Sequence, residues 1–221
     1  MADAAGLIGE TAAFYGERLG LGLARIDERG VEVRVGESVL AFRASPGSPF
    51  YHVALLVPGD RFGAALDWAR ERVELLSDPE TGEAVFDFDA WEASACYFHD
   101  PSSSIVELIA HRGLGEAGTT GPFAPGELVG VSEVGLVCDP PPCAEALERK
   151  LGLGVWDGTV VGAGRLAFVG EKARTLILCR AGRPWLPTGR PAEAHPMEVV
   201  LAGAREGVVP LGAGGQVQGR R

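Results

Sequence analysis

The chain has 221 residues, of which 46% are hydrophobic and 23% charged, enough apolar content for one large or two small globular domains. A formal net charge of -10 argues against nucleic acid or an anionic membrane surface as a partner, since both need clustered Lys and Arg. The 32 glycines and 15 prolines imply many short strands and turns, and so exclude a helical bundle.

The opening, MADAAGLIGETAAFYGE, lacks a basic stretch followed by an apolar core and does not read as a secretory signal. The longest apolar runs are strand-sized, so no transmembrane helix is expected, and the cytoplasm is the default compartment. A helix is expected near 10–19, with Thr11 as N-cap and Gly20 as C-cap. Strands follow to residue 44, and another is expected at YHVALLV, 51–57. Asp60 is the expected cap of a second helix that carries Phe62, Leu66, Ala69 and Val73 on one face. VFDFDAW, 85–91, reads as edge-strand or core packing, with Phe86, Phe88 and Trp91 as its aromatics. Residues 112–130 are rich in Gly and Pro and read as a linker. A third helix is expected over 141–151, with proline in its first turn and Cys143, Leu147 and Leu151 at i, i+4 and i+8.

The sequence repeats itself. ERLGLGLARID at 17–27 answers ERKLGLGVWDG at 148–158, and GVEVRVGESVLAFRA at 30–44 answers GRLAFVGEKARTLILCRA at 164–181. The repeating unit is βαβββ. Four copies are legible: 10–44 without a leading strand, 51–110 and 131–181 complete, and a last one that opens with EVVLAG and then has room for one hairpin. The LGLG pairs sit at helix-to-strand turns and are not a dinucleotide fingerprint.

One residue breaks the apolar pattern. In HDPSSSIVELIA, 99–110, both faces of the strand are apolar except for Glu107, and a buried carboxylate needs a counter-charge, hydrogen bonds or a metal. His52 is the matching exception in YHVALLV, sharing its face with Ala54 and Leu56. The pair suggests half of a metal site. The bland alternative is a structural contact between neighbouring strands. Tyr97 lies on the strand beside that of Glu107, where its phenol is in reach of a substrate or packs in the core.

The βαβββ repeat, the histidine on a leading strand and the motif YFHDPSSSIVELIA resemble the vicinal oxygen chelate superfamily, which includes glyoxalase I, bleomycin-resistance proteins and extradiol dioxygenases. Ser102, Ser103 and Ser104 stand where that family usually has an acidic-Gly-Asn turn. The resemblance implies an α+β fold in which repeated βαβββ modules form cup-shaped mixed sheets. It places an N-terminal domain at 1–112, a linker at 113–130 and a C-terminal domain at 131–221. His52 and Glu107 fall on the two ligand positions that one unit supplies, with Glu107 also the catalytic candidate and Tyr97 a substrate-pocket candidate. The implied cofactor is one divalent metal, Fe, Mn, Ni, Zn or Co, with open positions for two substrate oxygens. The implied function is a metal-dependent enzyme acting on a small oxygen-chelating molecule by dioxygenase or lyase/isomerase chemistry. The alternative is a non-catalytic small-molecule binder with an incomplete metal site. Two domains mildly favour the dioxygenase branch, whereas a motif in the N-terminal half speaks against it.

The other candidates are weaker. Glu133 and Glu198 occupy the positions equivalent to His52 in the later copies, but TLILCRA, 175–181, has no carboxylate, so the C-terminal domain reads as a structural or dimerisation module. A homodimer is the expected assembly. His99 and His111 are expected to be exposed, and His195 to lie in a loop. Cys96, Cys138, Cys143 and Cys179 read as small buried hydrophobes, and CDPPPC lacks the spacing of a zinc or redox CxxC motif.

Overall fold

The computed structural model describes residues 4–162 and 164–221. It is an α+β protein with mixed sheets that divides into two compact units, Met1–Ser132 and Glu133–Arg221.

The first unit opens with α1 (Ala4–Ala12), which continues as a π-helical turn over Ala13–Arg18. Thr11 is not the N-cap: the helix starts before it, and its hydroxyl donates back to Leu7 O at 2.8 Å, one turn earlier. Gly20, at φ 71°, does end the segment in the left-handed conformation that glycine adopts without a Cβ penalty. Strands β1 (Leu23–Asp27), β2 (Gly30–Val35) and β3 (Ser38–Arg43) then form a three-stranded antiparallel sheet.

The next copy of the repeat is complete. It consists of β4 (His52–Val57), α2 (Phe62–Arg70), β5 (Leu75–Leu76), β6 (Phe86–Phe88), β7 (Ala93–His99) and β8 (Ile105–His111). Strand β4 pairs parallel with β8, β8 antiparallel with β7, and β5 and β6 both pair with β7. Asp60 does not cap α2, because its carboxylate accepts from Ala117 N and Gly118 N at 2.9 and 2.8 Å. Arg61 adds to the same hold: its guanidinium pairs with Glu127 at 2.7 Å and donates to Gly121 O at 2.9 Å. The Gly- and Pro-rich segment after β8 is thereby fastened to the start of α2. Phe123 completes the contact, 5.6 Å from Trp68 centroid to centroid.

Alternation divides each strand between two faces. Leu55 and Val57 of β4, Val106 and Leu108 of β8, and Cys96 and Phe98 of β7 point into a core shared with the helices and with Val31, Val33 and Val35 of β2. At about 25 cal/mol per Å² of apolar surface, this burial is the main stabilising term of the unit. The residues between them, His52, Ala54, Glu107 and Tyr97 included, occupy the opposite face.

The second unit repeats the plan with β9 (Gly130–Val137), α3 (Pro140–Leu151), β10 (Val155–Gly158), β11 (Ala167–Glu171) and β12 (Arg174–Cys179). Prolines open α3 and Gly152, at φ 77°, closes it, while Cys143, Leu147 and Leu151 are buried as their spacing requires. Here too the first and last strands run parallel, β9 beside β12. The last copy is β13 (Glu198–Ala202) with the hairpin β14 (Gly207–Pro210) and β15 (Gln216–Arg220), β13 running parallel to β15.

The repeated Val-Gly-Glu tripeptide shows how the copies have diverged. Gly36 (φ 52°) is the first loop residue of the β2–β3 hairpin, where a Cβ would lie 2.1 Å from Val129 O. Gly170 (φ 129°) stays within β11, where a Cβ would lie 2.3 Å from Arg174 O, and Lys172 and Ala173 make the turn. The glycine is required in both copies for the same reason, close backbone approach.

Candidate functional site

The site is assembled by a turn. Asp100 directly follows β7 and accepts at Oδ1 from Ser102 N and Ser104 N, 2.9 and 2.8 Å, so the Asp-Pro-Ser-Ser run folds back on itself. Ser103 takes the left-handed conformation, φ 60°, within this turn. Ser104 Oγ accepts from Tyr51 N at 3.2 Å and Ile105 N donates to Tyr51 O at 2.8 Å, which fixes where β4 starts against β8. The resulting register pairs His52 with Ile105 and Ala54 with Glu107, leaving the two polar side chains diagonal neighbours on one face.

They meet. His52 Nε2 lies 2.9 Å from Glu107 Oε2, and the Tyr97 hydroxyl donates to Glu107 Oε1 at 3.0 Å. Antiparallel pairing puts Tyr97 directly opposite Glu107, which is why its phenol reaches the second oxygen. All three are buried, with Glu107 only 2% exposed. The carboxylate is therefore held by both oxygens, and the Tyr97 bond fixes the plane in which Oε2 faces the imidazole. Its field extends through the sheet: the Cys96 thiol is pushed up to about 12, first by burial and then by the Glu107 charge.

The geometry suits a metal as well as a direct hydrogen bond. Two donors each about 2.1 Å from one ion, at right angles, stand about 3.0 Å apart, so an ion would need little movement of either side chain. Among the described residues, no group of three His, Cys, Asp or Glu side chains is gathered about a common point. One imidazole and one carboxylate would hold a divalent ion with most of its coordination positions left to other oxygens.

The remaining sequence candidates fall elsewhere. His99 is exposed as expected, but His111 is fully buried, because it ends β8 opposite Ala93, 6.5 Å ring to ring from Trp91. His195 lies in a loop, 3.4 Å from Glu193. Glu198 is exposed and accepts from Gln216 at 2.8 Å, whereas Glu133 is buried in β9. Phe86 packs edge-on against Tyr97 at 5.1 Å, and Phe88 and Trp91 are half-buried beside it.

Sequence reasoning missed Asp100. Its second oxygen accepts from the buried Tyr15 hydroxyl at 3.2 Å, tying the π-helical turn to the end of β7. Burial pushes the Asp100 carboxyl above its ordinary range despite those donors. The Asp-Pro turn was visible in the sequence, but a partner 85 residues away was not.

No family model matches the chain, and no curated protein matches it by sequence. Solved structures match by fold. A putative dioxygenase from Bacillus subtilis is 15% identical with a TM-score of 0.54, over 95% of this chain and 80% of that one. A variant of glyoxalase I from Zea mays is 15% identical with a TM-score of 0.50, over 77% of this chain and 63% of that one. A glyoxalase/bleomycin resistance protein/dioxygenase from Nocardioides is 20% identical over 51% of this chain and 82% of that one, with a TM-score of 0.37. The first two likenesses, with the repeated unit and the parallel pairing of its first and last strands, show that the chain shares the fold of the Bacillus subtilis and Zea mays proteins.

Proposed function

We propose that the first unit is a divalent-metal-dependent enzyme of the vicinal oxygen chelate superfamily, acting on a small molecule that presents two oxygens to the ion. The observation that carries the reading is the 2.9 Å approach of His52 Nε2 to Glu107 Oε2 on the buried sheet face away from the helix. His52 and Glu107 would hold the metal, one of Fe, Mn, Ni, Zn or Co. When bound it would supply Lewis acidity toward chelating oxygens, in dioxygenase or in lyase/isomerase chemistry.

The chain's own groups have separate tasks in this reading. The Tyr97 hydroxyl donates a hydrogen bond to Glu107 Oε1, so that Oε2 is the oxygen presented for ligation. His52 presents Nε2 from the first position of β4, where the Ser104 turn holds the strand in register. The apolar neighbours Ala54 and Ile105 keep water from competing for either group. In the same reading Glu107 would also accept a substrate proton. The assembly we take to be a homodimer in the cytoplasm. Among the described residues no helix is long and apolar enough to cross a membrane.

A second reading, sequestration of a small molecule without catalysis, is favoured by the lack of a third ligating side chain among the described residues. Metal analysis separates the two. Protein purified without chelators should carry close to one equivalent of divalent metal, and His52→Ala should carry at least about tenfold less. Equal, trace metal in both proteins would reject the enzyme reading and leave the binder.

A further inference from the structure

The first copy of the repeat supplies no candidate ligand, yet its helical segment reaches the turn on which the candidate site is built. Tyr15 lies in the π-helical turn over Ala13–Arg18, where its carbonyl accepts from Leu21 N at 2.9 Å. Its ring is held between Phe14, edge-on at 5.2 Å, and Phe42 of β3 at 4.8 Å. The hydroxyl is thereby aimed at Asp100 Oδ2, 3.2 Å away, with Tyr15 fully buried and Asp100 only 5% exposed.

From Asp100 the contacts run without a gap to the site. Asp100 Oδ1 accepts from Ser104 N, Asp100 N donates to Ser104 O at 3.1 Å, and Ser103 N donates to Asp100 O at 2.9 Å, which closes the turn. Ser104 Oγ accepts from Tyr51 N, and the next residue is His52, the first of β4. The second unit is built differently at this point. Its β11–β12 turn is the two-residue Lys172–Ala173, between exposed Glu171 and Arg174. That copy has Ile177 where the first unit has Glu107, and a tight turn where the first unit has a buried carboxylate.

We propose that Tyr15 and Asp100 are positioning residues of the candidate metal site, setting the approach of His52 to Glu107 through Ser104 and Tyr51. The proposal rests on the reading of that pair as metal ligands. A ligand pair must be held within about 0.5 Å of its working geometry, and this turn fixes the start of β4 against β8. A phenol clamped by two rings is a rigid donor. It holds Asp100 Oδ2 and leaves Oδ1 to the two serine N–H groups.

The test uses the full chain with two readouts: zinc affinity, by competition with a chromophoric chelator, and the nitrogen NMR resonances of the His52 imidazole in the metal-free protein. Asp100→Ala and Tyr15→Phe should each weaken zinc binding by about tenfold and shift the His52 Nε2 resonance. Asp100→Asn keeps an oxygen acceptor for Ser102 N and Ser104 N, and its amide can donate to the Tyr15 oxygen, so it should restore most of the affinity. Leu66→Ala, a core truncation on α2 outside this path, should lower stability and move neither readout. Parent-like affinity with an unmoved His52 resonance in both Asp100→Ala and Tyr15→Phe would overturn the proposal, as would equal effects in Leu66→Ala. If the parent itself takes up no zinc, the metal reading fails and the resonance alone decides: shifted, it upholds the positioning role, and unmoved, it overturns it.

Discussion

The two complete copies of the repeat differ most where they are most alike. In the first unit β4, β8 and β7 carry His52, Glu107 and Tyr97 on the face away from the helix. In the second, strand pairing puts Glu133, Ile177 and Phe168 at the same three register positions of β9, β12 and β11. The backbone plan is common to both, and so is the helix-facing core of alternating apolar residues. What changes is the set of polar side chains on the opposite face. Tyr97 supplies a hydroxyl for one carboxylate oxygen and His52 an imidazole for the other. Phe168 and Ile177 supply neither. The candidate chemistry thus lies in three side chains set on a duplicated scaffold, and the two partners of Glu107 offset the cost of burying its carboxylate.

The strongest way to break that comparison is to move the carboxylate. Ile177→Glu puts a charge at a position only 2% exposed and diagonal to Glu133, and should destabilise the protein by roughly 3 kcal/mol or more. Adding Glu133→His should recover about 1 to 2 kcal/mol, since it restores the missing partner. Urea titration followed by circular dichroism reads both, and a single variant as stable as the parent would show that the register alone, without the partners, accommodates a carboxylate.

Next in size is His52→Ala, which leaves Glu107 Oε2 buried without its imidazole and should cost about 1–3 kcal/mol in addition to metal. The cost should appear as a lowered urea midpoint with unchanged slope. Tyr97→Phe is smaller, about 1 kcal/mol, because the second unit accommodates a phenyl ring at the matching position. Its metal affinity should weaken by about tenfold or more, measured by competition with a chromophoric chelator, since the Glu107 plane is no longer fixed. An affinity unchanged in Tyr97→Phe would remove the phenol from the site. The smallest effect is Ser103→Gly, expected to stabilise by no more than about 1 kcal/mol through relief of the left-handed backbone. A thermal midpoint that falls instead would show that the serine side chain outweighs the strain.

Much of this was legible in the sequence because it is local. The period-2 alternation of 51–57 and 105–110 marked two strands and singled out His52 and Glu107 as misfits, and the repeat fixed the order of elements. Proline and glycine punctuated α3 and ended the first helical segment correctly. The failures are cases where a polar side chain had two competing uses. Thr11 and Asp60 are good capping residues, but one bonds back along its own helix and the other reaches backbone donors 57 and 58 residues away. His111 looked like a residue past the end of a strand, and only the pairing of β8 with β7 shows that the strand includes and buries it. The bond of Tyr97 to Glu107 follows from register, which no single strand encodes.

In the proposed reading His52 and Glu107 are metal ligands and not merely hydrogen-bonded neighbours. Crystals of the protein dialysed against manganese or zinc, with data collected at the metal's absorption edge, test it most directly. An anomalous peak is expected about 2.1 Å from both His52 Nε2 and Glu107 Oε2, with Tyr97 still bonded to Oε1. No anomalous density at the pair, with its 2.9 Å contact intact and the protein saturated with metal elsewhere or not at all, would contradict it.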